Sequence, residues 1–141
     1  MERKLCTIFA LDVVSYSKLM AKDEATTLKT LNKRRKFIDA LIAEYEGRIF
    51  NTAGDSVLAE FTSPVRALEC AIQIQNNSQA LNNIADDNNA MRFRIGINIG
   101  DVMVSDDNLF GDAVNIAARL EAEAIVDGIC ISQSTFDMVN L

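Results

Sequence analysis

Apolar and polar residues alternate with the two-residue period of a β-strand in several parts of the chain. In the clearest case, residues 91–99, every second residue is Met, Phe or Ile and the residues between are polar or glycine. Ala53-Gly54-Asp55 joins two short apolar runs tightly and predicts a β-hairpin. Gly100-Asp101 predicts a turn before a partner strand at 102–104. Further strands are predicted at 4–11, 48–52, 56–61 and 128–131.

Between these strands, apolar residues recur at helical spacing. A long helix is expected from near Asp23, with Gly47 just past its end as a stop signal. Ser63-Pro64 supplies a cap and a first-turn proline for a second helix, which leads into a polar, amide-rich tail and surface loop at 77–89. Further helices are predicted at about 111–124 and from 132 onward.

The order of these elements is βαββαββαβ, with a hairpin around each pair of neighbouring strands. Such an order predicts an α+β fold, in which helices pack on one side of a mixed, mostly antiparallel sheet. A length of 141 residues corresponds to about one domain and is sufficient for a hydrophobic core. We therefore expect residues 1–141 to form a single domain.

Composition and charge exclude several classes of protein. An apolar content of 49% with one proline indicates a folded chain, and a net charge of −6 argues against nucleic acid as a partner. Without a membrane-length apolar segment or a signal-peptide cleavage site, the chain is expected to be cytoplasmic, with no membrane segment. The three widely spaced cysteines indicate reduced thiols. The basic run at 33–36 indicates a solvated helix face. The absence of histidine removes Ser-His and Cys-His nucleophilic schemes.

Two aspartates, Asp12 and Asp55, follow predicted strands at bends. Mg²⁺ binds in proteins through one or two carboxylates together with phosphate oxygens, so paired carboxylates at adjacent strand ends are a candidate metal site. The alternative is that each aspartate is a turn residue or a helix cap, which is the more common role after a strand.

A third segment, residues 108–120, adds an amide and a guanidinium. On a helix, Asn115 and Arg119 are four residues apart and lie on the same face. Together they can hold a ribose oxygen and a phosphoryl oxygen on which negative charge develops. The alternative is an arginine that pairs with a neighbouring helix and an asparagine that caps a turn.

These segments, in this order and at these separations, resemble the class III nucleotide cyclases, the family of adenylate and guanylate cyclases. The resemblance spans nearly the whole chain, and its motifs are specific in combination. It implies the family's ferredoxin-like core, with a C-terminal part missing, because family members continue into strands that carry a triphosphate-binding lysine. The matching residues are 9–17 (FALDVVSYS), 52–55 (TAGD), 94–100 (RIGINIG) and 110–120 (FGDAVNIAARL).

The resemblance also implies how the site works. Two divalent cations, Mg²⁺ or Mn²⁺, would bind Asp12, Asp55 and the backbone carbonyl of Val13. The ribose 3′-hydroxyl of a nucleoside triphosphate would attack the α-phosphorus, and pyrophosphate would leave. Backbone amides around residues 15–17 (Ser15, Tyr16 and Ser17) would cradle phosphates. Asn115 would orient the ribose and Arg119 would stabilise the pentavalent phosphorus, both from the opposite subunit of a homodimer with composite sites.

Two substitutions distinguish this chain from the family pattern. Asn51 stands where the family usually has a base-reading lysine, and Asn108 stands where adenylate-type members carry Asp or Thr. Because an amide both donates and accepts hydrogen bonds, this pair is expected to discriminate adenine from guanine poorly. ATP is the favoured substrate of the two.

Two alternative functions are compatible with parts of this pattern. A catalytically degenerate cyclase-homology domain, acting as a nucleotide-binding or dimerisation module in signalling, is favoured by the substituted base readers and disfavoured by the intact Asp12, Asp55, Asn115 and Arg119. A diguanylate-cyclase-type domain is disfavoured because the chain contains no Gly-Gly-acidic-acidic-Phe stretch.

Overall fold

A computed structural model describes residues 2–85 and 89–140 of the chain. Within these residues the strands are β1 Glu2–Val13, β2 Gly47–Ala53, β3 Ser56–Phe61, β4 Phe93–Ser105, β5 Asn108–Phe110 and β6 Ile129–Ile131. The helices are α1 Tyr16–Lys22, α2 Glu24–Glu44, α3 Pro64–Ile84, α4 Asp112–Glu123 and α5 Gln133–Val139.

The strands form one sheet in the order β2-β3-β1-β4-β5. These five strands pair antiparallel, whereas β6 pairs parallel with β4. β1 pairs with β4 from Glu2↔Val104 to Val13↔Phe93, so β5 and β6 occupy the other edge of β4. The predicted α+β class with a mixed, mostly antiparallel sheet is confirmed.

Helices cover both faces of this sheet, so the expectation of helices on one side is wrong. Phe9 and Leu11 of β1 pack in a cluster with residues of α2 and α3, whereas Ile8 and Ala10 pack in a second cluster with residues of α4. The sequence carried a sign of this, because residues 6–11 (CTIFAL) do not alternate between apolar and polar. In the structure all six of these residues are buried. A strand buried on both faces reads as a continuous apolar run.

Local predictions at two glycines also need correction. β4 continues through Gly100-Asp101 to Ser105 instead of turning there, and its partner is β5 rather than residues 102–104. A Cβ on Gly100 would lie 2.8 Å from the Cβ of Ala113, so this glycine admits α4 instead of making a turn. Similarly, the positive φ after α2 belongs to Glu46 (φ 68°), whereas Gly47 lies in β2 against the ring of Phe61.

The predicted helix starts agree with the structure. Asp23, Ser63 and Ser132 each accept a hydrogen bond from a backbone N–H three residues later, at 3.0, 3.2 and 3.2 Å. Helix α1 was not predicted, and β1 runs two residues beyond the expected Leu11. Much of the amide-rich segment is helical because α3 continues to Ile84; residues 86–88 of the expected loop lie outside the described part of the chain.

No helix in the described residues is long and apolar enough to cross a membrane. The three cysteines are free thiols: Cys6 and Cys70 are buried and Cys130 is half-buried.

Candidate functional site

Asp12 and Asp55 lie close together although 43 positions of sequence separate them. Asp12 belongs to β1, directly opposite Arg94 of β4. Asp55 lies in the two-residue turn after Gly54 (φ 58°), which joins β2 to β3. Because β3 pairs with β1 only as far as Leu11↔Val57, the N–H of Val13 is left beyond that ladder, and it donates to Asp55 Oδ2 at 3.0 Å. This hydrogen bond holds the turn against the end of β1.

A third carboxyl group, that of Glu121 on α4, completes the cluster. Glu121 is only 6% exposed and shares a hydrogen bond with Asp12. Its burial, the hydrogen bond with Asp12 and the negative charges of Asp12 and Asp55 raise its pKa to about 8, against an opposing contribution from Arg94. At neutral pH the metal-free protein therefore keeps Glu121 protonated, and its O–H donates to the Asp12 carboxylate.

Burial also raises the pKa of Asp55, and the charge of Asp12 adds to this effect. Hydrogen bonds from the backbone N–H groups of Val13 and Asp55 itself act in the opposite direction. Arg94 is the cation that faces the cluster, and its buried Nε has no hydrogen-bond partner among the described residues. The site thus concentrates negative charge in a partly buried place.

This donor set fits a divalent cation that is shared with a substrate. Carboxylate oxygens are the ligands that Mg²⁺ prefers, and one or two of them suffice when phosphates supply the rest. In the described part of the chain no three acidic, cysteine or histidine side chains are arranged to hold an ion by themselves. Asp12 and Asp55 are therefore suited to an incomplete cation site of this kind.

The close approach of α4 to the sheet depends on small residues. Ala113 and Ala117 pack in the same apolar cluster as Ile8 and Ala10 of β1. A Cβ on Gly96 would lie 2.4 Å from the carbonyl oxygen of Ala117 and 2.3 Å from the backbone N of Glu121. Only glycine admits the helix at this distance, and this contact brings Glu121 to Asp12.

Asn115 and Arg119 lie on the opposite side of the same helix. Each is two residues away from the buried stripe of Ala113, Ala117 and Glu121, which is a rotation of about 200°. Both are exposed; the Arg119 side chain is 70% exposed and makes only a loose ion pair with Asp112, 3.9 Å from Nη2 to Oδ1. Within one chain, therefore, the structure does not bring Asn115 and Arg119 to Asp12 and Asp55.

A cavity of about 360 Å³ opens between α4 and the sheet beside Asp12. Asn51, Ser56 and Glu121 line it with Asp12. Asn51 is exposed and follows an irregularity in the β2–β3 register at residue 50. The site therefore has room for a group beside the carboxylates, and one of the two proposed base readers borders it.

The second asparagine, Asn108, opens β5, and its side-chain oxygen accepts a hydrogen bond from the N–H of Leu109 at 2.9 Å. The sheet curves enough that β2 and β5 approach each other, and Phe50 and Leu109 belong to one apolar cluster. Asn51 directly follows Phe50, and Asn108 directly precedes Leu109. The two asparagines therefore belong to strands that approach each other.

The turn between β1 and α1 holds the three residues expected to cradle phosphate. Ser15 adopts a left-handed conformation (φ 57°, ψ 39°), and its side chain makes no capping hydrogen bond. Ser15 and Ser17 are exposed, whereas Tyr16 packs against the α2–α3 side of the core.

Glu121 and Arg94 were not identified from the sequence. Glu121 carried a weak signal, since it continues the four-residue spacing of Ala113 and Ala117 and so places an acid on the buried stripe of α4. Arg94 lay on the polar face of an alternating strand and could not be distinguished from a solvated residue.

An acidic pair at one strand end of the sheet, and a helix that presents an amide and a guanidinium outward, are the features by which this chain resembles the nucleotide cyclases. The family model of the adenylate and guanylate cyclase catalytic domain matches residues 2–140, and the chain belongs to this family. The predicted resemblance is confirmed.

Several similar proteins are named as cyclases. "Putative adenylate cyclase 3" of Rhizobium meliloti is 42% identical over 139 residues, 98% of this chain, which spans about a quarter (24%) of that relative's length. An adenylate/guanylate cyclase/hydrolase from Silicibacter pomeroyi has a TM-score of 0.91 at 41% identity, with 99% of this chain and 81% of that chain covered. The guanylate cyclase domain of RhGC from Catenaria anguillulae, solved in complex with GTP, has a TM-score of 0.83 at 25% identity, with 99% and 84% covered.

Proposed function

We propose that this chain converts a purine nucleoside triphosphate, ATP in preference to GTP, to the 3′,5′-cyclic monophosphate and pyrophosphate at the composite sites of a homodimer. The observation that carries this proposal is that α4 has candidate site residues on two opposite faces. Its buried face delivers Glu121 to Asp12 in the same chain, while Asn115 and Arg119 face outward. In the proposed dimer these two side chains would complete the site of the partner subunit.

Asp12, Asp55 and the backbone carbonyl of Val13 would hold two divalent cations, Mg²⁺ or Mn²⁺. When bound, these ions would lower the pKa of the ribose 3′-hydroxyl and neutralise charge on the triphosphate. The fit rests on the two negative charges of Asp12 and Asp55, which lie close together in a partly buried place and face the guanidinium of Arg94.

The chain's own side chains would position the reacting groups. Arg119 of one subunit would donate hydrogen bonds to the phosphoryl oxygens at the α-phosphorus, where negative charge builds up in the transition state. Asn115 would hold the ribose so that its 3′-oxygen is in line with the leaving pyrophosphate. The backbone N–H groups of residues 15–17 would receive phosphate oxygens.

The shared-site arrangement has a direct test. Asp55→Ala and Arg119→Ala should each abolish cyclisation, because each removes one half of every composite site. Mixing the two inactive variants should restore one competent site per heterodimer. If the mixture stays inactive while both variants still dimerise by analytical ultracentrifugation, the composite-site proposal is wrong.

The choice of ATP over GTP rests on the relatives named adenylate cyclase alone, because the base-reading side chains are not expected to distinguish the two purines. The exposed amide of Asn51 can rotate to offer oxygen or nitrogen, so it rejects neither base strongly. We expect similar, weak affinities for ATP and GTP by calorimetry. Tenfold or greater selectivity, about 1.4 kcal/mol, would contradict this expectation.

A second candidate is a degenerate domain that binds nucleotide or dimerises without turnover. It is favoured by Asn108, whose side-chain oxygen already accepts the Leu109 N–H instead of being free to read a base. A cyclisation assay with ATP and GTP, in Mn²⁺ and in Mg²⁺, separates the two. Nucleotide binding without any cyclic product would support the degenerate module and reject the enzyme.

A further inference from the structure

Two buried polar side chains hold helices to the sheet, one on each face. On the face of α2 and α3, Arg34 is 5% exposed, so the expectation that the basic run 33–36 is a solvated face is wrong for this residue. It donates hydrogen bonds to α3 and to the chain just before β4. On the opposite face, Asn98 of β4 is 4% exposed, and its Nδ2 donates to the carbonyl of Ala113 at 3.1 Å. Asn98 thus bonds to α4, the helix that carries the outward-facing candidate site residues.

Asn98 lies between two glycines in the row of β4 that faces α4. Alternate residues of a strand point to the same face, so Gly96, Asn98 and Gly100 are consecutive in this row. A Cβ on Gly96 would lie 2.4 Å from the carbonyl oxygen of Ala117, and a Cβ on Gly100 would lie 2.8 Å from the Cβ of Ala113. The glycines therefore set the distance between helix and sheet. Asn98 adds a directional contact, because a hydrogen bond constrains an angle as well as a distance.

The first turn of α4 has little to fix its rotation from within. Helices α2, α3 and α5 begin with side-chain caps, whereas the N-cap of α4 is Gly111 (φ 129°), which has no side chain to accept a backbone N–H. The N–H of Asn115 lies 3.4 Å from the carbonyl oxygen of Gly111, which is long for a helical hydrogen bond. The hydrogen bond from Asn98 to Ala113 therefore holds this turn from outside the helix.

We propose that Asn98 is a positioning residue for Asn115. Its hydrogen bond to Ala113 sets the rotation of the first turn of α4, and with it the direction of the Asn115 side chain two residues later. This inference rests on the proposed function, in which Asn115 orients the ribose. A rotation of about 20° moves a side-chain end about 5 Å from the helix axis by about 2 Å. A misplacement of about 1 Å at a reacting group can lower a rate about 100-fold.

The far end of α4 is held independently of Asn98. A Cβ on Gly96 would also lie 2.3 Å from the backbone N of Glu121, two turns beyond Ala113. Removing the Asn98 hydrogen bond should therefore rotate the first turn and leave Glu121 beside Asp12. The defect would then fall on the ribose in the partner subunit's site, and the cation site of the same chain would stay intact.

The first test removes the donor with Asn98→Leu, which is similar in size, and with Asn98→Ala, which avoids any overpacking. Each should lower kcat about tenfold or more while KM for the Mn²⁺–nucleotide stays within about threefold. The matched control is Thr135→Val, because Thr135 is fully buried and accepts the N–H of Ile99 at 3.0 Å on the other face of β4. This variant should lose stability in urea but keep kcat within about threefold of the parent.

Mixing inactive and impaired chains shows which half of the site Asn98 serves. Asn98→Leu mixed with Asp55→Ala should reach the activity of the reference mixture, Asp55→Ala with Arg119→Ala, because one site then has two intact halves. Asn98→Leu mixed with Arg119→Ala should stay low, because both defects lie in the half that α4 supplies. A general loss of structure in Asn98→Leu would not distinguish between these two partners.

Hydrogen exchange followed by ¹⁵N–¹H NMR tests the first turn without any activity. In Asn98→Leu the backbone N–H groups of residues 115–117 should exchange about tenfold faster or more, and those of residues 119–121 as in the parent. A parent without cyclase activity, or an inactive reference mixture, would reject the proposed function and leave this test standing. Three results would each overturn the role of Asn98: unchanged kcat or exchange, an equal loss of kcat in Thr135→Val, or no rescue by Asp55→Ala when the reference mixture is active.

Discussion

Replacing Glu121 with glutamine tests the carboxyl cluster through stability rather than activity. The pKa of Glu121 is raised from an ordinary 4.5 to about 8 in the metal-free folded protein. Between these two values the folded state keeps a proton that the unfolded state has released. Stability is therefore fully present below about pH 4.5, falls as the pH rises, and stops falling once the pH passes about 8.

The magnitude follows from the width of this window. Each pH unit over which only the folded state is protonated costs about 1.4 kcal/mol. From pH 4.5 to pH 7 the upper limit is about 3 kcal/mol, and relaxation of the site reduces it to about 1–3 kcal/mol. Glutamine has nearly the same shape, donates an N–H to Asp12 and does not ionise. Glu121→Gln should therefore stabilise the metal-free protein at pH 7 by about 1–3 kcal/mol.

The assay is urea unfolding in EDTA at several pH values between 5 and 8.5. Glu121→Gln should flatten the fall in stability across this range. The matched control is Glu123→Gln, the same change at an exposed position of α4, which should leave the profile of the parent. If Glu121→Gln loses stability at pH 7, or keeps the parent's pH dependence, Glu121 does not hold the buried proton and the description of the cluster is wrong.

Three further changes probe the site and its support. Asp12→Asn should weaken Mn²⁺–nucleotide binding by roughly 2–5 kcal/mol, and unchanged affinity by calorimetry would remove Asp12 from the metal site. Gly96→Ala should destabilise the protein by about 2 kcal/mol or more, because the new Cβ would meet backbone atoms of α4. The control Gly54→Ala, in open space at φ 58°, should cost only about 1 kcal/mol. Urea unfolding that shows equal costs for the two variants would contradict the packing argument. Asn51→Lys with Asn108→Asp should raise both ATP cyclisation and the preference for ATP over GTP, and a coupled pyrophosphate assay with both nucleotides measures this.

Local signals in the sequence identified elements whose chemistry is local. Ser63 was recognisable as a cap, and the helix starts at Asp23 and Ser132 were placed correctly, because a cap depends on a backbone N–H three residues away. Gly100 misled the prediction because glycine serves two purposes, turns and close approach. Residues 98–102 do not indicate which purpose applies. Glycine is needed at position 100 because a Cβ there would collide with the Cβ of Ala113, on a helix that comes later in the chain.

In the candidate site, too, residues with a local signal were predictable and contacts that depend on tertiary packing were not. Asp12 and Asp55 follow apolar runs and carry a recognisable chemistry, so pattern and resemblance both pointed to them. The hydrogen bond from Val13 to Asp55 and the protonated Glu121 were not predictable, because they depend on how far β1 runs past β3 and on the distance at which α4 meets Gly96. Such contacts exist only after the sheet has formed.

The two opposite faces of α4 link these features to the proposed dimer. Glu121 and Arg119 are two residues apart on one rigid helix and face opposite ways, so neither can move far without the other. In a dimer each α4 would then serve two sites: Glu121 would bond to Asp12 in its own chain, and Arg119 would face the partner's substrate. Gly96 and the alanine stripe fix the position of the helix, and with it the alignment of both sites. A change that lifts α4 from the sheet, even far from any substrate, should therefore impair the two sites together.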